Sequence, residues 1–259
     1  GIAFEEEGIM SQTIRVKDRL AAVNVAPRPS TRSGHGRRHV LDLDDFGRDE
    51  IEGVLQNTDA MKEILNRDIK KVPTLRGKTV VTLFSEPSTR TRVSFEQAGK
   101  ILSADVINVS AGGSSLEKGE SLYNTALTLQ AMNADIIIVR HSHAGAPHFL
   151  ARHLDASVIN AGDGMHAHPT QALLDMYTIR NHIGAIEGAK IAIVGDVMHS
   201  RVARSNLWGL TKMGADVVIC GPPTLIPPDF MDSYMSSEGH PFSSVRVVNK
   251  VESALENAD

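Results

Sequence analysis

From residue 41 onwards, the apolar residues of the chain follow two spacings. Some segments repeat an apolar position every three or four residues, as amphipathic helices do, and others are short continuous apolar runs typical of buried strands. The first helical stripe includes Ile51, Leu55 and Ile64. The runs that predict strands are residues 79–84, 106–109, 136–139, 158–159, 191–194, 217–219 and 245–248.

Helical stripes separate these runs, so strand alternates with helix along the chain. This order predicts an α/β fold with two domains, each a mostly parallel β-sheet between helical layers, hinged near residues 183–188. The last predicted helix runs to the end of the chain, where the alternation would place another strand, so we expect the second domain to be incomplete. The predicted domains are residues 39–183 and 184–259.

Residues 1–38 differ from the rest. The segment 26–34 is rich in Pro, Ser and Arg and has no period that would bury a face. Such composition predicts a flexible N-terminal extension, because too little apolar surface is available to offset the entropy of ordering.

Composition excludes several classes of function. The net charge is −4, from 27 basic and 31 acidic residues, so we expect neither nucleic acid nor an acidic membrane surface as a partner. No apolar run approaches the roughly 20 residues that cross a bilayer. The single cysteine, Cys220, excludes an internal disulfide and a cysteine-based metal site, and it fits a cytoplasmic location.

One short stretch predicts a phosphate site. The strand at residues 79–84 is followed by Glu86-Pro87 and then by Ser88-Thr89-Arg90-Thr91-Arg92, where a helix begins. The first turn of a helix offers unpaired N–H groups and the positive end of the helix dipole, and the hydroxyl and guanidinium groups add donors suited to phosphate oxygens. A simple Ser/Thr helix cap with solvated arginines is the alternative. Three hydroxyls and two arginines in five residues favour the phosphate site.

These residues resemble the carbamoyl-phosphate signature of the aspartate and ornithine carbamoyltransferases. Further matches follow in the family's order: the loop at residues 114–120, Arg140 at the end of the third strand, and His168-Pro169-Thr170-Gln171 at the start of the linking helix. The resemblance covers roughly residues 40–259. It implies the carbamoyltransferase fold and transfer of a carbamoyl group from carbamoyl phosphate to an amine, without a cofactor.

The resemblance also implies a role for each matching residue. The implied carbamoyl-phosphate-binding residues are Ser88, Thr89, Arg90, Thr91, Arg140, His168 and Gln171. Among them, Thr91, Arg140 and His168 would be catalytic residues that polarise the carbonyl oxygen. Arg140 follows four apolar residues, so its charge needs a ligand or a carboxylate. A structural ion pair for Arg140 and helix capping by His168 are the alternatives. The position of His168 at a helix start disfavours its protonated form.

The second domain indicates the acceptor. Gly195-Asp196 and Ser200-Arg201-Val202-Ala203-Arg204-Ser205 resemble the aspartate enzymes, as does Thr170. Arg201 would bind a carboxylate and would repel the ammonium of ornithine. Glu86 is a candidate partner for Arg201 on domain closure. The resemblance therefore implies aspartate carbamoyltransferase, an enzyme of pyrimidine biosynthesis that forms N-carbamoyl-L-aspartate, with an ornithine or related carbamoyltransferase as the alternative.

The loop at residues 114–120 implies a homotrimer with shared active sites. In the family this loop reaches the neighbouring subunit, so Ser115 and Lys118 would act in trans and Lys118 would also bind aspartate. Whether Ser114 or Ser115 matches the family's serine stays open. The resemblance leaves regulatory or dihydroorotase chains as possible partners.

Two readings compete with a full enzyme. The family's later aspartate-binding Arg and Gln and its Leu-Pro pair do not occur in this sequence, so the chain could bind carbamoyl phosphate with weak or no turnover. A metalloprotein is the second rival, because six histidines are dense: His141, His143, His148, His153, His166 and His168. No H-x-x-x-H pair with a nearby Glu occurs among them, so no metal site is expected.

Overall fold

A computed structural model of the protein describes residues 36–110, 121–230 and 240–259. The described residues form two parallel β-sheets, one of four strands in the order β2-β1-β3-β4 and one of three strands in the order β5-β6-β7. The strands are β1 (Thr79–Phe84), β2 (Asp105–Ser110), β3 (Ile136–His141), β4 (Ser157–Asp163), β5 (Lys190–Val194), β6 (Asp216–Cys220) and β7 (Arg246–Val248).

Helices connect the strands, as parallel pairing requires. They are α1 (Arg48–Leu65), α2 (Thr89–Ile101), α3 (Leu122–Ala131), α4 (Ala146–His153), α5 (Pro169–Ile183), α6 (Arg201–Lys212) and α7 (Val251–Leu255). The α/β class predicted from the alternating pattern is confirmed, and every predicted strand is present within a few residues of its predicted bounds.

Burial follows the position of each strand in its sheet. In the central strand β3, Ile137, Ile138 and Val139 are almost fully buried, as the continuous apolar run predicted. In the edge strand β2, Ile107 is 49% exposed, because β2 pairs on one side only and its faces are less covered. The carboxyl ends of these strands lie at one edge of the sheet, where such folds bind ligands.

Helix α5 packs on α6 and on α1, and all three helices contribute to one core with the three-stranded sheet. Leu43, Leu55 and Met176 belong to the same buried cluster as Leu207 on α6 and Val217 on β6. The apolar face predicted for α1 therefore contributes to a core that also contains residues beyond 184. This shared core stabilises the arrangement of the two sheets around the pocket described below.

The last residues of the predicted extension contact the body of the protein. Arg37 donates hydrogen bonds to Asp45 and Glu50, and its guanidinium stacks on the Phe46 ring at 3.8 Å. Arg38 donates to the backbone carbonyl of Leu154. Residues 1–35 of that predicted extension lie outside the described residues. Within the described part of the chain, no helix combines the length and the apolar character needed to span a membrane.

Candidate functional site

The start of α2 presents a set of unused donors. Ser88 is the N-cap residue in extended conformation, and its side chain makes no capping hydrogen bond. Arg92 N–H bonds to Ser88 O, which leaves the N–H groups of the first turn without helical partners. A helix start with an uncommitted hydroxyl suits an external anion better than the simple cap that was the alternative interpretation.

A pocket of about 830 Å³ brings most of the predicted residues together. Its wall combines the start of α2, the end of β3, the start of α5 and the start of α6. The predicted site residues that line it are Ser88, Arg90, Thr91, Arg140, His168, Gln171 and Arg201. Thus four segments that are far apart in sequence converge on one cavity.

Thr89 and Glu86 do not line this larger pocket. Both line an adjacent depression of about 270 Å³, together with Arg92. The Thr89 side chain is therefore not part of the larger pocket. Ser114, Ser115 and Lys118 lie outside the described residues.

Two arginines at the back of the pocket share one carboxylate. Arg140 Nε lies 3.4 Å from Glu86 Oε2, and an Nη atom of Arg201 lies 3.3 Å from the same oxygen. Both guanidinium groups also donate to backbone carbonyls, Arg140 to Ala161 at 3.2 Å and Arg201 to Gly164 at 3.0 Å. Burial and the nearby Arg201 lower the pKa of Arg140. Two cations and one anion leave a net positive charge facing the cavity.

Gly162 permits this close approach of the arginines. Its φ is +113°, and a Cβ atom at this position would lie 3.0 Å from Arg201 Nε and 3.3 Å from an Nη atom of Arg140. Any other residue would therefore be strained in backbone and would displace the guanidinium groups. Two glycines in the sequence Gly162-Asp163-Gly164 indicate a tight turn, but the sequence alone did not place this turn in the site.

His168 is buried between the two arginines and the start of α5. The residue is 6% exposed, and burial followed by the charges of Arg201 and Arg140 lowers its pKa to about 4. The predicted neutral form is thus supported, although burial is the larger cause and the sequence argument had invoked the helix start. The backbone N–H of His168 donates to Ser205 Oγ at 2.9 Å. A neutral imidazole can donate one hydrogen bond to a carbonyl oxygen.

Gln171 is oriented by a carboxylate that the sequence did not single out. Its Nε2 donates to Asp175 Oδ1 at 2.8 Å, and Asn206 donates to the other oxygen of Asp175 at 2.7 Å. With its amide nitrogen engaged, the Gln171 carbonyl oxygen remains to accept a hydrogen bond from a ligand N–H. Asp175 lies one helical turn after Gln171, a spacing that indicates such a pair once the role of Gln171 is considered.

Comparison with known proteins identifies related chains. The family model of the aspartate/ornithine carbamoyltransferase carbamoyl-P binding domain matches residues 38–181, more than half of the chain. The aspartate carbamoyltransferase catalytic subunit of Roseiflexus castenholzii is 61% identical over 203 residues, which are 78% of this chain and 64% of that protein. The chain thus spans less than two thirds of that relative's length.

Solved structures share the fold. Aspartate transcarbamoylase from Trypanosoma cruzi, in complex with N-(phosphonacetyl)-L-aspartic acid, superposes with a TM-score of 0.77 at 26% identity, covering 92% of this chain and 76% of that one. Ornithine carbamoyltransferase from Pyrococcus furiosus superposes with a TM-score of 0.74 at 33% identity, covering 86% and 70%. On the family match, the sequence motifs and the convergent pocket, the chain belongs to the aspartate/ornithine carbamoyltransferase family.

Proposed function

We propose that the chain binds carbamoyl phosphate and supplies the donor half of an aspartate carbamoyltransferase site. The observation that carries this proposal is the convergence of the α2 start with Arg140, His168 and Gln171 on one pocket. The products of the proposed reaction are N-carbamoyl-L-aspartate and phosphate, and the pathway is pyrimidine biosynthesis.

The phosphate of the donor would lie at the start of α2. Ser88, Arg90 and Thr91 offer hydroxyl, guanidinium and backbone donors there, and the helix dipole adds to their attraction for an anion. Thr89 faces the adjacent depression, so its proposed contribution is its backbone N–H. Charge-assisted hydrogen bonds of this kind contribute about 1.5–3 kcal/mol each.

The carbonyl of the donor would lie between Thr91, Arg140 and His168. As the amine attacks the carbonyl carbon, negative charge develops on the oxygen, and preorganised donors stabilise that charge. Arg140 is held by Glu86 and by a backbone carbonyl, so it needs little reorganisation. The carbamoyl amide would donate to Gln171, whose own nitrogen is held by Asp175. The departing phosphate, bound beside the amine, would accept its proton.

Arg201 is the proposed contact for the carboxylate of aspartate. It lines the pocket from the start of α6. Its bond to Glu86 at 3.3 Å supports the proposal that this pair links the two predicted domains, residues 39–183 and 184–259, on closure. Glu86 would then neutralise part of the charge of both arginines until a ligand carboxylate arrives.

The remaining predictions concern segments or partners that the described residues do not include. We propose a cytoplasmic homotrimer in which Ser115 and Lys118 of a neighbouring subunit complete the site, and in which Lys118 contacts aspartate. Activity regained on mixing inactive Lys118→Ala and Arg90→Ala subunits would support shared sites. Regulatory or dihydroorotase chains remain candidate partners.

The experiment that tests the function uses the chain extended to the full length of its relatives. Formation of N-carbamoyl-aspartate is measured with aspartate or with ornithine as acceptor, and binding of carbamoyl phosphate is measured in parallel. Product with aspartate alone supports the proposal, and product with ornithine alone supports the alternative. If the chain binds carbamoyl phosphate but forms no product with aspartate or ornithine, the hypothesis of a non-catalytic binding protein is supported.

Arg201→Ala sharpens the acceptor assignment in the same assay. We expect the KM for aspartate to rise far more than the Kd for carbamoyl phosphate changes. Equal losses for both ligands would contradict the role given to Arg201. N-(phosphonacetyl)-L-aspartic acid, with which the Trypanosoma cruzi structure is in complex, joins a phosphonate to an aspartate and would therefore probe both halves of the proposed site.

A further inference from the structure

A second cluster of polar side chains lies outside the pocket, behind its Gly162–Gly164 turn. His148 on α4, Asp163 at the end of β4 and His166 in the following loop each offer one ligand atom, and these atoms all lie within 4.8 Å of one another. None of the three residues lines the 830 Å³ pocket. From this geometry we propose a binding site for a divalent transition-metal ion of the zinc class, held by His148, Asp163 and His166.

The separation of His166 and Asp163 fits metal ligands. His166 Nδ1 lies 3.1 Å from Asp163 Oδ2 and 3.3 Å from Asp163 Oδ1. Zinc–nitrogen and zinc–oxygen bonds of about 2.0–2.1 Å at a tetrahedral angle set the two ligand atoms roughly 3.3 Å apart. The His166 and Asp163 side chains are therefore as far apart as two ligands of one zinc ion. In the present structure this distance is that of a hydrogen bond, with a proton between the two groups. Metal binding at Nδ1 would displace that proton, to solvent from a protonated His166 or to Nε2 within a neutral ring.

His148 supplies the third ligand. Its Nδ1 is inaccessible to solvent and has no hydrogen-bond partner among the described residues. The His148 and His166 rings are 5.3 Å apart and meet edge to face at 72°. A buried ring nitrogen without a partner is costly, so a ligand for this imidazole would stabilise the site. The His148 ligand atom already lies within 4.8 Å of those of the other two residues.

The surroundings hold these ligands in place. The Asp163 carboxylate is fully buried and accepts hydrogen bonds from Gly145 N at 2.7 Å, Asn160 Nδ2 at 2.8 Å and Ala167 N at 3.0 Å. On the far side of the His166 ring, Nε2 lies 3.9 Å from Asp42 Oδ2. Bonds of this kind to ligating carboxylates, and carboxylates behind ligating histidines, are typical of the shell around metal sites.

Three protein ligands leave the fourth position of a tetrahedral ion for water. The side chain of His166 is 29% exposed, which gives an ion a path from solvent. Imidazole and carboxylate together suit zinc and cobalt better than they suit magnesium or calcium, which prefer oxygen ligands alone. The sequence predicted no such site, because its ligands come from two segments and follow none of the usual spacings.

Metal titration of the chelator-treated chain tests the site. Zn²⁺ and Co²⁺ are the probes, and the matched variants are His148→Gln, His166→Gln and His153→Gln. His153 lies on the same helix as His148, but its Nδ1 contacts the Phe149 carbonyl and it does not belong to the cluster. We expect one zinc per chain after dialysis, an affinity at least about tenfold lower in the first two variants, and no change in His153→Gln.

The visible absorption of Co²⁺ bound to the unaltered chain tests the site even if a variant fails to fold. In the unaltered chain, Co²⁺ bound by two imidazoles, one carboxylate and water should show the intense visible bands of tetrahedral coordination, and Zn²⁺ should abolish them by competition. Substoichiometric zinc, weak octahedral cobalt bands, or an equal loss of affinity in His153→Gln would each overturn the proposal. The readout is metal binding, so its failure is distinct from failure of the carbamoyl-transfer assay.

Discussion

The two sides of the pocket are built in different ways. The first turn of α2 presents Ser88, Arg90 and Thr91, whose donors come from the helix start itself and of which Arg90 is exposed. The opposite side, here called the inner wall, consists of Arg140, His168 and Arg201 and is held by Glu86, Gly162, Gly164 and Ser205. The first side depends on local sequence, whereas the inner wall depends on contacts between distant segments.

This difference has a thermodynamic consequence. A donor at an exposed helix start can be removed at small cost to folding, so its loss should appear mainly in ligand affinity. A residue of the inner wall is buried or partly buried and shares partners with its neighbours, so its loss should change affinity and stability together. The following predictions test that distinction, from the largest expected effect to the smallest.

The largest effect is expected for Arg140→Met in the full-length protein. Methionine keeps much of the length of the side chain but removes the charge that is proposed to face the carbonyl oxygen of carbamoyl phosphate. Removal of one such donor typically lowers kcat on the order of 10²–10³-fold, or about 3–4 kcal/mol. Steady-state kinetics with carbamoyl phosphate and aspartate measure it.

Arg204→Met is the matched control for Arg140. Arg204 is exposed, donates to the His166 carbonyl at 3.1 Å and does not line the pocket. We expect its kcat to stay within about threefold of the unaltered protein, because surface substitutions rarely exceed about 0.5 kcal/mol. An equal loss in both variants would show that general positive charge, and not the position of Arg140, supports the proposed reaction.

The second prediction concerns the pH dependence contributed by His168. Its pKa is about 4 in the folded chain, against about 6.5 when unfolded. Between these values the unfolded state binds a proton that the folded state does not, so stability falls as pH decreases from about 6.5 towards 4. At pH 5 the loss from this group is about 2 kcal/mol.

Urea unfolding of the unaltered chain and of His168→Gln at pH 7 and pH 5 measures this contribution. The unaltered chain should lose about 2 kcal/mol more than the variant on acidification. Asp42, whose pKa burial raises to about 6, acts with the opposite sign, but it is present in both proteins. Equal acid sensitivity in the two proteins would contradict a buried neutral His168.

The sequence predicted the helix-start side of the pocket better than the inner wall. The strand at residues 79–84 and the motif beginning at Ser88 lie next to each other in the chain, so local pattern was sufficient. Arg140, His168 and Arg201 were found through the family resemblance and the ends of predicted strands. Glu86 was predicted as a partner of Arg201, but the supports Gly162 and Ser205 were missed, as was Asp175 beside Gln171. Gly162 acts by leaving space, and Asp175 and Ser205 act through side-chain contacts that no periodicity reveals.

The third prediction is that Gly162→Ala damages the inner wall although it removes no polar group. The backbone at φ +113° disfavours any L side chain, and the new methyl group would lie within 3.0–3.3 Å of both guanidinium groups. We expect a loss of about 1–2 kcal/mol in stability and a weaker affinity for N-(phosphonacetyl)-L-aspartic acid. Chemical denaturation and calorimetric titration measure the two effects.

Gly53→Ala is the control for that substitution. Gly53 lies within α1, and a Cβ atom there would meet nothing within 4 Å. Alanine in a helix interior is favoured over glycine by about 0.5–1 kcal/mol, so this variant should be more stable than the unaltered chain, with ligand affinity unchanged. Destabilisation by both alanines would mean that the strain assigned to Gly162 is not specific to its position.

The smallest expected effect is a difference in stability loss between two serine-to-alanine variants, Ser205→Ala at the inner wall and Ser88→Ala at the helix start. Ser205 is fully buried, accepts from His168 N–H at 2.9 Å and donates to Asp42 at 3.3 Å, so Ser205→Ala leaves a buried N–H without its partner. A loss of about 1 kcal/mol in stability is expected. Ser88 makes no capping bond, so Ser88→Ala should cost less than about 0.5 kcal/mol in stability while it weakens carbamoyl-phosphate binding. If Ser88→Ala destabilises the fold as much as Ser205→Ala and leaves affinity intact, its hydroxyl serves the helix and not the ligand.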